Sequence, residues 1–113
     1  MKDDWVYIRH ILDEIEYLQS VRPSLTYDLL TTNITTEHSI TRALEIIGEA
    51  TKNVPDRIKK QYPDVPWREM AGLRDRIIHG YFQIDYTIVW RVITEDLPVI
   101  EPKIRAIYDQ VKK

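Results

Sequence analysis

Cysteine is absent from the chain of 113 residues, which removes disulfide scaffolds, thiolate metal sites and cysteine nucleophiles together. Stability therefore has to come from a packed core. Glycine is scarce: Gly48, Gly72 and Gly80 are the full complement, too scattered for a dinucleotide fingerprint or a Walker phosphate loop. Ser20, Ser24 and Ser39 stand in no nucleophile-elbow context. No apolar run approaches the roughly 20 residues that a membrane-spanning helix needs. The N-terminal Met1-Lys2-Asp3-Asp4-Trp5 lacks the apolar stretch and small-residue cleavage site of an export signal, so the cytoplasm is the expected location. A large excess of either charge is missing too. The 16 Lys and Arg against 18 Asp and Glu leave a net −2, which argues against a generic nucleic-acid coat while allowing a local basic site.

What is present is the mix of one soluble globular domain over residues 1–113, with 43% hydrophobic and 30% charged residues. Trp5, Ile8, Ile11/Leu12, Ile15 and Leu18 recur at threes and fours and predict a helix from residue 4 to about 20, capped by Asp3 or Asp4. Residues 21–35, with Pro23 and Thr31-Thr32-Asn33, read as a connection with room for a short helical turn. Ile40, Ala43/Leu44, Ile47, Ala50 and Val54 predict a second helix from about Thr36 to Asn53, and Gly48 in it marks a close helix approach. Pro55 opens a short third helix to about Tyr62, ended by Pro63-Asp64-Val65-Pro66.

Trp67, Met70, Leu73 and Ile77 then predict a helix from Trp67 to His79, with Gly80 as the left-handed residue beyond its end. Asp85 caps a final stripe of Tyr86, Trp90, Ile93, Leu97, Ile100, Ile104, Ile107 and Val111. Because Pro98 and Pro102 fall inside it, this last helix is expected to be long and kinked, or split near Leu97 and Pro98. No stretch alternates convincingly as a strand does. The expected fold is all-α, four or five helices packed as a bundle. The C-terminal stripe reads as wider than one core covers, which predicts a homodimer.

The densest chemistry is Arg74-Asp75-Arg76-Ile77-Ile78-His79-Gly80-Tyr81. On a continuous helix Asp75 and His79 are i and i+4, so the carboxylate faces and orients the imidazole. Arg74 lies about 140° around that helix from His79, so the two share a face only if the helix end unwinds, which Gly80 permits. Guanidinium and imidazole together suit a phosphodiester: one stabilises charge on the phosphoryl oxygens while the other moves a proton. RNA brings its own nucleophile, the 2′-hydroxyl, so no metal or cofactor is required. On spacing alone the bland alternative stays open, a solvated helix end whose cations the dipole favours. Arg42, Arg68 and Arg76 are candidates for a basic track. His10 and His38 stand alone, without a partner at metal-ligand spacing, and no metal site is expected.

Leu44-Glu45-Ile46-Ile47-Gly48-Glu49-Ala50, Val65-Pro66-Trp67, Gly72-Leu73-Arg74-Asp75, His79-Gly80-Tyr81, Val89-Trp90 and Asp96-Leu97-Pro98 follow one another in the chain. In that order, over roughly residues 40 to 105, they resemble the HepT-type HEPN ribonuclease toxins. The family pattern R-x4-H-x-Y is met by Arg74, His79 and Tyr81. The resemblance implies an HEPN-like helical homodimer in which the motifs of both protomers meet in a cleft that cuts RNA without metal. Arg74 would bind the scissile phosphate and His79 would act as general acid or base, with Asp75, Arg76 and Glu49 supporting. Tyr81 would be the target of AMP transfer by a cognate antitoxin, a minimal nucleotidyltransferase of the MNT type. The residue after the motif arginine is often Asn in this family and is Asp75 here. A second reading stays open, a non-catalytic helical module that binds a nucleotidyltransferase or a nucleotide.

Overall fold

The computed structural model describes residues 5–80 and 83–112. Helix α1 (Trp5–Val21) turns every apolar position of its stripe except Trp5 inward: Ile8, Ile11, Leu12, Ile15 and Leu18 are fully buried. Trp5 stays at the rim, edge-on to Tyr108 with ring centres 6.4 Å apart. The expected caps Asp3 and Asp4 lie outside the described residues. After a 3-10 turn at Arg22–Ser24 comes α2 (Tyr27–Thr32), the short helical piece for which the connection had room. Its cap is Thr26, whose hydroxyl accepts from Leu29 N at 3.0 Å.

Helix α3 (Ile34–Asn53) starts two residues before the expected Thr36, because the Asn33 carboxamide accepts from Thr36 N at 2.9 Å and so caps the earlier turn. Its stripe Ile40, Ala43, Leu44, Ile47 and Ala50 is buried against α1, and Val54 beyond its end is buried as well. Helix α4 (Asp56–Gln61) is the short third helix, and Trp67 then begins α5 (Trp67–Ala71) with its indole N–H donating to Tyr62 O at 2.9 Å.

The predicted helix from Trp67 to His79 is not continuous. It breaks at Gly72, resumes as α6 (Leu73–Ile77), and ends two residues short of His79. Ile78–His79 (β1) instead pairs antiparallel with Gln83–Ile84 (β2), in the register Ile78 with Ile84 and His79 with Gln83. A two-residue ladder is too short to carry a period-2 signal, which is why alternation does not reveal it. Gly80 follows with φ +70°, the left-handed conformation expected of it.

Helix α7 (Tyr86–Arg91), a π-helical turn (Val92–Asp96) and α8 (Leu97–Val111) form the last run, so the division falls one residue before Pro98. The cause is chemical. Pro98 has no N–H to offer the carbonyl four residues earlier, Thr94 O, and that oxygen is approached instead by the Arg22 guanidinium at 3.5 Å. Leu97, Ile100, Ile104 and Ile107 are buried, largely by α1, while Tyr86, Trp90 and Val111 of the same stripe are only half-buried. Arg105 locks the outer edge of this contact, bonding Glu101 at 2.7 Å and Glu16 of α1 at 3.0 Å. Each fully buried Ile or Leu contributes about 1.5–3 kcal/mol, so α1, α3 and α8 hold the bundle together. No described helix is long and apolar enough to cross a membrane.

Candidate functional site

Where α3 passes the α5–α6 break, the backbones come close. A Cβ built on Gly48 would stand 3.4 Å from Met70 O, 3.6 Å from Ala71 O and 3.8 Å from Leu73 Cβ, ordinary contact distances that leave room for a methyl and for nothing larger. Glu45 lies three residues before Gly48 and therefore on the same face of α3. Its Oε2 is 3.4 Å from Arg74 Nε at the start of α6. The arginine is thus anchored by a neighbouring helix while its side chain stays about half exposed, at 53%.

His79 is placed by different elements. Leaving α6 at Ile77, the chain is extended at Ile78, so the imidazole is carried on β1 and not on the helix that carries Arg74. The unwinding that a shared face required does occur. The carboxylate expected to face His79, Asp75, lies on α6 and is exposed; with the helix ended at Ile77, the i to i+4 relation between them no longer exists. Asp85 takes that place, with Oδ2 3.5 Å from His79 Nε2. That is an ion-pair distance, longer than a hydrogen bond. The other oxygen of Asp85 accepts from Ile88 N at 3.1 Å and caps α7, and Asp85 N donates to Ile77 O at 2.7 Å.

The remaining candidates fall elsewhere. Arg76 is half-buried and lines a cleft of about 390 Å³ with an apolar floor of Met70, Leu73, Leu97 and Ile100, a cleft that contains neither Arg74 nor His79. Glu49 is exposed, pairs with Lys52 at 3.6 Å, and borders a smaller recess with Tyr7, His10 and Arg42. Glu45, one turn earlier, is the glutamate that touches the motif. Arg42 and Arg68 are exposed. Trp67 is buried, and Trp90 is half-buried with Tyr27 edge-on at 5.9 Å, so both serve packing. Tyr81 lies outside the described residues. Among the described residues no group of three or more His, Asp or Glu is placed to hold a metal ion.

Glu45 and Asp85 are the two site residues that reading the chain did not single out. Glu45 stood within the quoted α3 block and Asp85 was recognised only as a cap; the signal for the second role was the hairpin, which the sequence does not announce. The arrangement offers a guanidinium and an imidazole, each beside a carboxylate, on adjoining elements at the surface. It suits an anion with a transferable proton nearby.

Comparison with known proteins gives the family. A family model described as "Ribonuclease HepT-like" matches residues 11–107. The chain is 38% identical over 97 residues to "Probable ribonuclease HepT" of Thermococcus cleftensis, covering 86% of this chain and 88% of that protein. It is 36% identical over 112 residues to "Putative RNase TTE0752" of Caldanaerobacter subterraneus subsp. tengcongensis, covering 99% of this chain and all of that one. No solved structure matches. With a family model matched over most of the chain and relatives aligned over most of their own length, the chain belongs to the HepT-like ribonuclease family.

Proposed function

We propose that this protein is an endoribonuclease, the toxin of a two-component toxin and antitoxin pair, acting in the cytoplasm. The observation that carries the reading is the pair of exposed motif groups, Arg74 held by Glu45 and His79 held by Asp85, in a chain whose relatives are named as RNases. In the proposed reaction the ribose 2′-oxygen attacks the adjacent phosphorus and the P–O5′ bond breaks, leaving a 2′,3′-cyclic phosphate and a 5′-hydroxyl. His79 transfers the proton and Arg74 stabilises the charge that builds on the phosphoryl oxygens. The nucleophile is already in the substrate, so the chemistry requires no metal.

Two copies of the chain bring two motifs to one cleft in this reading, as the family resemblance implies. Tyr81, two residues after His79, is the proposed acceptor of AMP from an MNT-type antitoxin. Bulky anionic groups beside Arg74 and His79 repel phosphate and occupy its place, which is a physical basis for neutralisation.

The test is cleavage of an end-labelled RNA in EDTA by the unmodified chain, beside Arg74→Ala and His79→Ala. Cleavage by the wild type that is lost in both folded variants supports the proposal. A folded wild type that leaves RNA intact favours the partner-binding module instead. Light scattering at micromolar concentration checks the dimer, and a monomer there overturns the shared cleft.

A further inference from the structure

The Asp85 carboxylate is shared between two tasks. Oδ1 accepts from Ile88 N at 3.1 Å as the cap of α7, while Oδ2 faces His79 Nε2 at 3.5 Å. The backbone of the same residue is tied to Ile77 O at 2.7 Å, and the pairing of Ile78 with Ile84 fixes the strand on which His79 sits relative to the start of α7. The carboxylate is thus held through one oxygen by the cap, and the main chain that carries it is held by two backbone contacts, before any substrate arrives. It is also less exposed than the imidazole it faces, at 31% against 55%.

We propose that Asp85 is the positioning residue of His79: it holds the imidazole with the proton on Nε2 and leaves Nδ1 as the atom that exchanges a proton with the substrate. This rests on the ribonuclease reading of the motif. A carboxylate only accepts, so the ring nitrogen facing it carries hydrogen, and a neutral imidazole then has its lone pair on the other nitrogen. The ion pair between such exposed groups does little for stability, so its consequence is orientation. Closing 3.5 Å to a hydrogen bond takes a shift of about half an ångström, of the kind by which catalytic contacts tighten when substrate binds.

The two tasks of the carboxylate make the proposal separable from folding. In Asp85→Asn the α7 cap survives, because Asn caps as well as Asp. Ile88 N requires an acceptor, so the amide oxygen takes the Oδ1 place and the amide nitrogen falls where Oδ2 was. A donor then faces Nε2, and the imidazole must carry its proton on Nδ1. The carboxylate-to-amide change in the serine-protease triad, a worked example of the same logic, leaves the geometry intact and imposes the wrong tautomer.

The experiment is ¹⁵N NMR of the full chain with labelled histidine, in alkaline buffer, together with steady-state cleavage of RNA and the thermal midpoint. Expected for the wild type is protonation on Nε2. Expected for Asp85→Asn are protonation on Nδ1, a kcat lower by about 10- to 100-fold, and an unchanged KM and thermal midpoint. Asp85→Ser, which keeps the cap and is too short to reach the ring, should lower kcat similarly. The proposal is overturned if His79 shows the same tautomer in wild type and Asp85→Asn, or if kcat is unchanged in both folded variants. Should the wild type cut no RNA, the ribonuclease reading falls on its own, because the tautomer is read without substrate.

Discussion

Asp85 N donates to Ile77 O across 2.7 Å, joining the end of α6 to the start of α7 eight residues later. His79 lies on the strand pair between them, so the motif histidine is set by that pairing and not by the helix that displays Arg74. The spacing in R-x4-H thus records a helix that stops. Arg74 is on its last turns, and His79 is the second residue after it ends.

Freeing Arg74 should weaken the reaction without touching the fold. Glu45→Gln removes the charge that anchors the guanidinium at 3.4 Å, and an ion pair this exposed contributes at most about 1 kcal/mol to stability. The expected outcome is a thermal midpoint within error of wild type and a kcat/KM lower by about 3- to 10-fold, a loss of the order of 1 kcal/mol in transition-state binding. Unchanged cleavage kinetics would show that the anchor is idle.

Gly80→Ala tests the hairpin. A Cβ there meets nothing within 4 Å, so the cost is backbone strain at φ +70° alone. That strain is about 1–2 kcal/mol for alanine and smaller for asparagine, so urea unfolding should rank wild type above Gly80→Asn above Gly80→Ala. Equal midpoints for the two variants would deny the left-handed turn.

Substitution at Gly48 tests the close approach of α3 to the α5–α6 break. Alanine improves helix propensity by about 0.5–1 kcal/mol and brings a methyl to 3.4 Å from Met70 O, so Gly48→Ala should fold with near wild-type stability. Gly48→Val adds two further carbons against backbone that cannot move alone, and should cost about 1–3 kcal/mol by denaturant titration. It should also impair cleavage, because α6 carries Arg74.

Burial pushes the Glu14 carboxyl above its ordinary range, the neighbouring Asp13 adds to this, and Arg42 and His10 oppose it. A carboxyl that holds its proton more tightly in the folded chain destabilises that state when ionised. The penalty is full above its raised folded value and vanishes below the ordinary value of 4.5, so stability from this group falls as pH rises through that window. Glu14→Gln should therefore unfold at higher denaturant than wild type at pH 7, by about 0.5 kcal/mol or less, with the two curves converging near pH 3. A larger gap at acid pH than at neutral pH would reverse the sign and refute the argument.

The order of residues along the chain is enough for the helical bundle, its buried stripes, the positions of Gly48 and Gly80 and the division of the last helix beside Pro98. These are properties of local spacing. Apolar residues at threes and fours must share a helix face, proline cannot donate, and a glycine after an apolar run stops a helix wherever the chain goes next. Only the tertiary structure decided which carboxylate meets which motif group. On an unbroken helix Asp75 is the partner of His79, and Glu49 is the α3 glutamate that the sequence points to. The end of α6 at Ile77, the two-residue ladder after it and the approach of α3 at Gly48 gave those roles to Asp85 and Glu45. Such pairings depend on how separate elements stack, and a distance between elements leaves no period in the chain to be read.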